Sequence, residues 1–325
     1  MMQRASLPVL TLALSLLGCG PVSDVTVITL GHGLDPSHPV HQSMAFMADT
    51  LAEMSDGSMR IDIYPSQQLG TERQLVELLQ IGSVGMTKVS AAAMEGFAPD
   101  YRVLGLPYVF RDEAHRFRVL EGDIGLEVLR SSEPQLIRGL TFYDAGSRSF
   151  YTKDRRVETP EDLAGLKVRT MESASQIRMV NAMGGSATPI AWGELYTALQ
   201  QGVVDAAENN PPSFYLSRHY EVCKYYILDE HSAVPDVLLI STNMWGRLTA
   251  QQQAWLTTAA EASSQVQKQL WREASDEALA AVEAAGVEIL RPEKSPFEEA
   301  VSEVMAEYEA EPQLGGLIRR IRAHQ

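Results

Sequence analysis

Leu75-Val76-Glu77-Leu78-Leu79-Gln80-Ile81-Gly82-Ser83-Val84 returns 120 residues later as Leu195-Tyr196-Thr197-Ala198-Leu199-Gln200-Gln201-Gly202-Val203-Val204, with two leucines, a glutamine, a glycine and a valine in register. Each copy reads as a helix, a glycine stop and a short strand, which then enters a loop at residues 90–94 or 208–213. Two lobes built alike are implied. Outward from the first copy, Thr71 and Gln74 form a capping box that starts its helix. Before it lie a β-branched strand at residues 25–30 broken by Gly31-His32-Gly33, a helical spacing at 40–55, and a strand at 59–64 stopped by Pro65. Between the copies, strands at 140–143 and 149–152 flank Asp144-Ala145-Gly146-Ser147-Arg148. Thr159-Pro160 starts a short helix stopped by Gly165, and a strand at 166–168 leads into Arg169. Beyond the second copy, a strand at 237–241 precedes the capping box Thr249 to Gln252. The next stretch, to about residue 285, holds no Gly or Pro. It predicts one helix long enough to lie across both lobes, with Trp255, Ala259, Val266, Leu270, Ala274 and Leu279 on roughly one face. Such alternation argues for an α/β fold with parallel or mixed sheets.

The chain has 325 residues, enough for two lobes that each bury a core, and its 45% hydrophobic and 21% charged residues exclude disordered, collagenous and multi-pass membrane classes. With 27 Lys and Arg against 42 Asp and Glu, the charge of −15 excludes a nucleic-acid partner, because phosphate backbones require a basic footprint. Arg4, the apolar run at 7–17 and Leu16-Leu17-Gly18-Cys19 read as an export signal too short to span a bilayer. Its last four residues resemble a bacterial lipobox, in which Cys19 is acylated and begins the mature chain; ordinary cleavage is the alternative. Cys223 is the only other cysteine, so no disulfide framework exists.

Arg148 and Arg169 stand at strand ends, where open α/β sheets bind ligands, and a guanidinium fork matches a carboxylate. Glu208-Asn209-Asn210-Pro211-Pro212-Ser213-Phe214 sets two amides on a proline-stiffened segment, suited to hydroxyl or carboxylate recognition or simply to a turn. Trp192 and Phe214 offer ring faces to a sugar, with core packing as their default. Glu72 at a helix start either serves the helix dipole or accepts ligand hydroxyls. His32, His38 and His41 have no cysteine and no nearby carboxylate other than Asp35 to complete a metal site, so no metal is expected. No nucleotide loop, nucleophile elbow or zincin motif is present, and no cofactor is expected. Glu72 with Glu208 leaves an exported hydrolase of acidic sugars open as an alternative, beside a tethered sensory module.

Gly146-Ser147-Arg148, Gly165-Leu166-Lys167-Val168-Arg169, residues 188–196 (TPIAWGELY) and Gln200-Gln201-Gly202-Val203-Val204-Asp205 running into Glu208-Asn209 form an ordered series. By it the chain, from about residue 25 to the long helix, resembles the extracytoplasmic solute-binding subunit of tripartite ATP-independent periplasmic (TRAP) transporters. The resemblance implies a non-enzymatic, two-lobed class II periplasmic-binding-protein fold with hinge strands. The expected division is a signal at 1–18, one lobe from 24–145 plus 235–274, the other from 146–234 plus 275–310, and a tail at 311–325. It further implies that Arg169 pairs with a ligand carboxylate, that Arg148 and Asn209 assist, and that Trp192 packs on the ligand. Glu72, His32, Asn210, Phe214 and Asp236 would choose among ligands. The Glu208–Phe214 segment, Asp229-Glu230-His231 and Pro235-Asp236-Val237 look most like the branch taking hexuronates such as glucuronate and galacturonate. The implied partners are that acid and the small and large permease subunits. The implied location is the periplasm, here with a lipid tether that many members lack.

Overall fold

The computed structural model describes residues 25–324, so the export segment and Cys19 lie outside the described residues. Among the described residues, eleven strands form two sheets. The first takes β1 (Thr26–Gly31), β2 (Met59–Tyr64), β3 (Met86–Ser90), β4 (Ile137–Tyr143) and β10 (Asp236–Ser241) in the order β2-β1-β3-β10-β4. The second takes β5 (Arg148–Thr152), β6 (Lys167–Thr170), β7 (Ser186–Pro189), β8 (Ala206–Asn209), β9 (Tyr225–Ser232) and β11 (Glu288–Leu290) in the order β11-β9-β5-β8-β6-β7.

The two copies of the sequence repeat occupy equivalent places. Helix Glu72–Gln80 feeds β3, which lies between parallel β1 and antiparallel β10; helix Leu195–Gln201 feeds β8, between parallel β6 and antiparallel β5. The shared glycines serve one need: Gly82 and Gly202 stand at φ +74° and +72°, the left-handed turn that releases each helix into its strand.

Alternation within strands builds the layers. In β10, Leu238 and Ile240 face a cluster with Met44, Met47 and Trp271, while Val237 and Leu239 face the other way. In the second sheet, Tyr151 and Tyr226 join the cluster around Phe214, while Phe150 and Ile227 face the other way. Those opposite faces meet in a single apolar cluster that contains Val89 and Val237 of the first sheet with Phe150 and Val168 of the second. Each sheet thus has a private layer, and a common one joins them.

The chain passes between the sheets after β4 and again after β9, and helix Ala250–Ala284 spans them. Its 35 residues extend about 52 Å at the usual rise. The expected capping box at Thr249 and Gln252 is present, but of the residues read onto one face only Ala259 is fully buried, the other five being half-buried, and the side that packs inward is a different one. Leu256, Ala259, Ala260, Ser263, Ser264, Gln267, Trp271, Ala278 and Val282 are buried. Hydropathy misplaces this face because it works through hydrogen bonds. Ser264 donates to the Phe142 carbonyl at 3.0 Å, Ser263 meets the Tyr143 hydroxyl at 2.8 Å, and the Gln267 amide spans the Asp144 N–H and carbonyl at 2.8 and 2.7 Å. The helix thereby holds the first crossing. Gly146, at φ +58°, is required there, since a Cβ would meet Trp271 Nε1 at 2.9 Å.

Candidate functional site: a cleft between the sheets

The carboxyl ends of β3, β6 and β8 and the first residues of β5 and β10 converge on a cavity of about 60 Å³. The first sheet and its loops supply Leu34, His38, Glu72, Lys88, Ser90 and Asp236 to its wall; the second supplies Arg148, Arg169, Trp192, Asn209, Asn210 and Ser213. A neighbouring cavity of about 50 Å³ shares Glu72, Arg169, Met171 and Trp192 with it. The halves touch at its rim, where His38 Nε2 lies 3.4 Å from Ser213 Oγ and a Cβ on Gly193 would meet Gln67 Oε1 at 2.4 Å. A larger groove of about 1290 Å³ runs along Tyr108, Arg111, Arg272 and Lys294 and holds none of the expected ligand residues.

Arg169, the last but one residue of β6, is 3% exposed. Its Nε donates to the Ile190 carbonyl at 2.8 Å, its guanidinium lies 5.8 Å from the Trp192 ring centre, and its buried Nη1 has no partner among the described residues. Burial pushes its pKa below the ordinary arginine value, and the carboxylate of Glu208 offsets that only in part. A buried cation with an unpaired donor is costly until an anion arrives.

Arg148 is differently placed. It lines the cavity, yet Nε and Nη2 clasp Glu208 at 2.5 and 2.8 Å, Nη2 also donates to the Glu208 carbonyl at 3.0 Å, and Nη1 donates to Asn209 Oδ1 at 3.0 Å. Four of its five N–H groups are therefore spent, and it offers a ligand one donor rather than a fork. Burial alone would push the Glu208 carboxyl up, but Arg148 and His231 hold it down to about 2. A carboxyl so firmly ionised is no general acid, and Glu208 does not line the cavity, which removes the Glu72 and Glu208 pair that a hydrolase needs. His231 completes the cluster: burial disfavours its charge, but Asp229, 2.8 Å from Nδ1, and Glu208 raise it to about 9.

Other expected residues divide into those the fold brings together and those it does not. Glu72, Asn209, Asn210, Trp192 and Asp236 all reach the wall. Asn210 spends its Oδ1 on the Ser213 N–H as the cap of helix Pro211–Leu216, and Asn209 Oδ1 accepts the Asn210 N–H at 2.9 Å. Phe214 is corrected: it is fully buried, its ring 4.7 Å from those of Tyr151 and Tyr226, and it supports the Asn210 loop from inside the second lobe. The hydrophobic side of that short helix turns toward Tyr151, so the Phe214 ring does not reach the cleft. His32 is corrected as well. It is fully buried, Nδ1 takes the Leu34 N–H at 3.1 Å and Nε2 meets His41 at 3.0 Å, so both nitrogens are used in shaping the loop. His38 lines the cavity in its place, held neutral by burial and by Lys88, which bring its pKa down to about 3. Among the described residues no group of His, Cys, Asp and Glu is arranged to hold a metal ion.

Lys88, Ser90 and Ser213 were not read as wall residues in the sequence, and His38 was weighed only as a metal ligand. The repeat carried a signal for two of them, because Lys88 and Ser90 correspond to Glu208 and Asn210 at the same 120-residue offset.

A cavity between two sheets that are joined by two crossings and one long helix, with a buried guanidinium nitrogen left without a partner in its wall, is the architecture of a solute-binding protein. The profile of the DctP family, described as bacterial extracellular solute-binding protein, family 7, matches residues 30–311, and the chain belongs to this family. An uncharacterised Salmonella typhimurium protein, YiiZ, is 38% identical over 91% of each chain. A TRAP periplasmic solute-binding protein from Bradyrhizobium sp. BTAi1, solved in complex with α/β-D-galacturonate, is 38% identical and superposes with a TM-score of 0.88 over 90% of this chain and 98% of that one. Another from Pseudomonas putida F1, solved with bound D-glucuronate, is 34% identical with a TM-score of 0.89 over 92% and 97%. The chain is thus a TRAP-type periplasmic binding protein and not an enzyme.

Proposed function

We propose that this protein captures a hexuronate, D-glucuronate or D-galacturonate, in the periplasm and delivers it to the small and large permease subunits of a TRAP transporter. The observation that carries this reading is the buried Arg169 with its unpaired Nη1 in the cleft between the sheets. A carboxylate there completes a charge-assisted pair, Arg148 and Asn209 add single contacts, and Trp192 covers one ring face. Asn210, Glu72 and Asp236 read hydroxyls. The bound ligands of the Bradyrhizobium and Pseudomonas proteins support the choice of acid. The lobes in this reading are 24–145 plus 235–274 and 146–234 plus 275–310, with 311–325 as a tail. The ligand touches both, so it favours the shut form.

Residues 1–18 act as the export signal in this proposal, and lipid on Cys19 tethers the protein to a membrane; the sequence Leu16-Leu17-Gly18-Cys19 supports it. Mass spectrometry of the mature N-terminus decides between a diacylglyceryl cysteine and a plain cleavage. For the ligand, calorimetry compares D-glucuronate and D-galacturonate with D-glucose and D-galactose. Micromolar or tighter binding, about −8 kcal/mol, is expected for the acids alone. Neutral sugars binding as tightly as the uronates would refute the anchoring role of Arg169.

A further inference from the structure

The cleft wall opposite Arg169 carries a second charged group whose composition limits what the far end of a ligand can be. Lys88, the middle residue of β3, is buried with Nζ 3.1 Å from Asp236 and 3.6 Å from Glu72. Asp236 begins β10 directly opposite Ser90, and Glu72 Oε1 is fixed by the Ser90 N–H at 3.0 Å. Two carboxylates thus share one ammonium. Burial raises the Asp236 carboxyl above its ordinary value, with Lys88 opposing and Glu72 adding to the rise. On the other wall Arg148 is neutralised by Glu208, which leaves Arg169 as the cation without a counter-ion. The cavity therefore has one unpaired positive point and, facing it from the other lobe, a region already saturated with negative charge.

We propose that the Glu72, Lys88 and Asp236 group makes this protein select sugar acids with one carboxylate and reject diacids of the same carbon skeleton, the hexarates. Hydroxyls at the far end of a uronate donate to Glu72 and Asp236, whereas a second carboxylate meets two like charges that share a single lysine. Lys88 is paired with both carboxylates and has no charge left for a ligand anion. The inference rests on the uronate reading and adds to it the reason that one oxidation state of the sugar is accepted.

The test is a pair of calorimetric comparisons, D-glucuronate against D-glucarate and D-galacturonate against galactarate, on the wild-type mature protein and on Asp236→Asn and Glu72→Gln. The wild type is expected to bind each uronate at least roughly a hundredfold tighter than its diacid. Each variant, nearly isosteric but one charge lighter, is expected to shrink that ratio about tenfold or more, mainly by gaining diacid affinity. Glu72 is partly exposed, so Glu72→Gln remains informative if Asp236→Asn folds poorly. Diacids binding the wild type within about threefold of the uronates, or ratios unchanged in both folded variants, would overturn the proposal. Failure of the underlying reading shows separately, as absence of wild-type uronate binding in the reference arm.

Discussion

Replacing Arg169 by Met separates a binding role from a structural one, because the two roles move the ligand-free stability in opposite directions. In the ligand complex the guanidinium is one half of a buried ion pair. Removing one member of such a pair costs about 3–5 kcal/mol, so uronate affinity is expected to fall roughly 150- to 4000-fold. Without ligand the terms reverse. The Ile190 carbonyl loses its 2.8 Å donor, a cost of about 1 kcal/mol. Against this, the fold no longer buries a guanidinium whose Nη1 is unpaired, which relieves a penalty of several kcal/mol. The melting temperature of the empty variant is therefore expected to equal or exceed that of the wild type, with about 2 °C for each kcal/mol in a chain of this size. Calorimetry with D-glucuronate and a thermal melt with and without ligand read both quantities. Affinity within about tenfold of the wild type, or an empty-state melting temperature that drops as for a core truncation, would refute the reasoning and return Arg169 to a structural role.

Phe214→Ala is expected to cost about 3–5 kcal/mol of stability, read by denaturant unfolding, because the ring packs between Tyr151 and Tyr226; a change confined to affinity would restore it to the ligand wall. Glu95, 6% exposed, accepts from Ser173 Oγ at 2.6 Å and Ser175 Oγ at 3.0 Å and pairs with Arg102 at 2.9 Å. Glu95→Gln is expected to lose about 3 kcal/mol on unfolding, since Arg102 is left without this partner and two hydroxyls lose a charged acceptor. Acid sensitivity follows from His32, His38 and His219, whose folded pKa values burial lowers to about 2, 3 and 3. The unfolded chain binds their protons first, so stability is full above the ordinary histidine value near 6.5. It falls as pH drops toward 3, by on the order of 1 kcal/mol per pH unit for each histidine. His231 has the opposite sign, being raised to about 9: its contribution is full below 6.5 and lost as pH rises through 9. A melting temperature that stays flat from pH 7 to 5 would contradict the neutral, buried state of the three histidines.

Local chemistry in the sequence was enough for the α/β class, the doubled architecture and most element positions, because these depend on signals a few residues long. The capping boxes at Thr71 and Thr249 and the left-handed glycines Gly82 and Gly202 act within a single turn, and the 120-residue offset needs only that both copies solve the same local problem. Arg169 was legible for the same reason, as a guanidinium at a strand's carboxyl end. Only the tertiary structure decided which charges are free. Arg148 and Arg169 look alike in sequence, yet Glu208 satisfies the first and leaves the second waiting, because β5 and β8 are paired in register while β6 ends beside a carbonyl. It also decided that Phe214 and His32 support the wall without forming it, that Gln267 and two serines bury the long helix, and that Lys88 stands between Asp236 and Glu72. Those outcomes depend on distances between residues far apart in the chain, and a linear pattern holds no record of such distances.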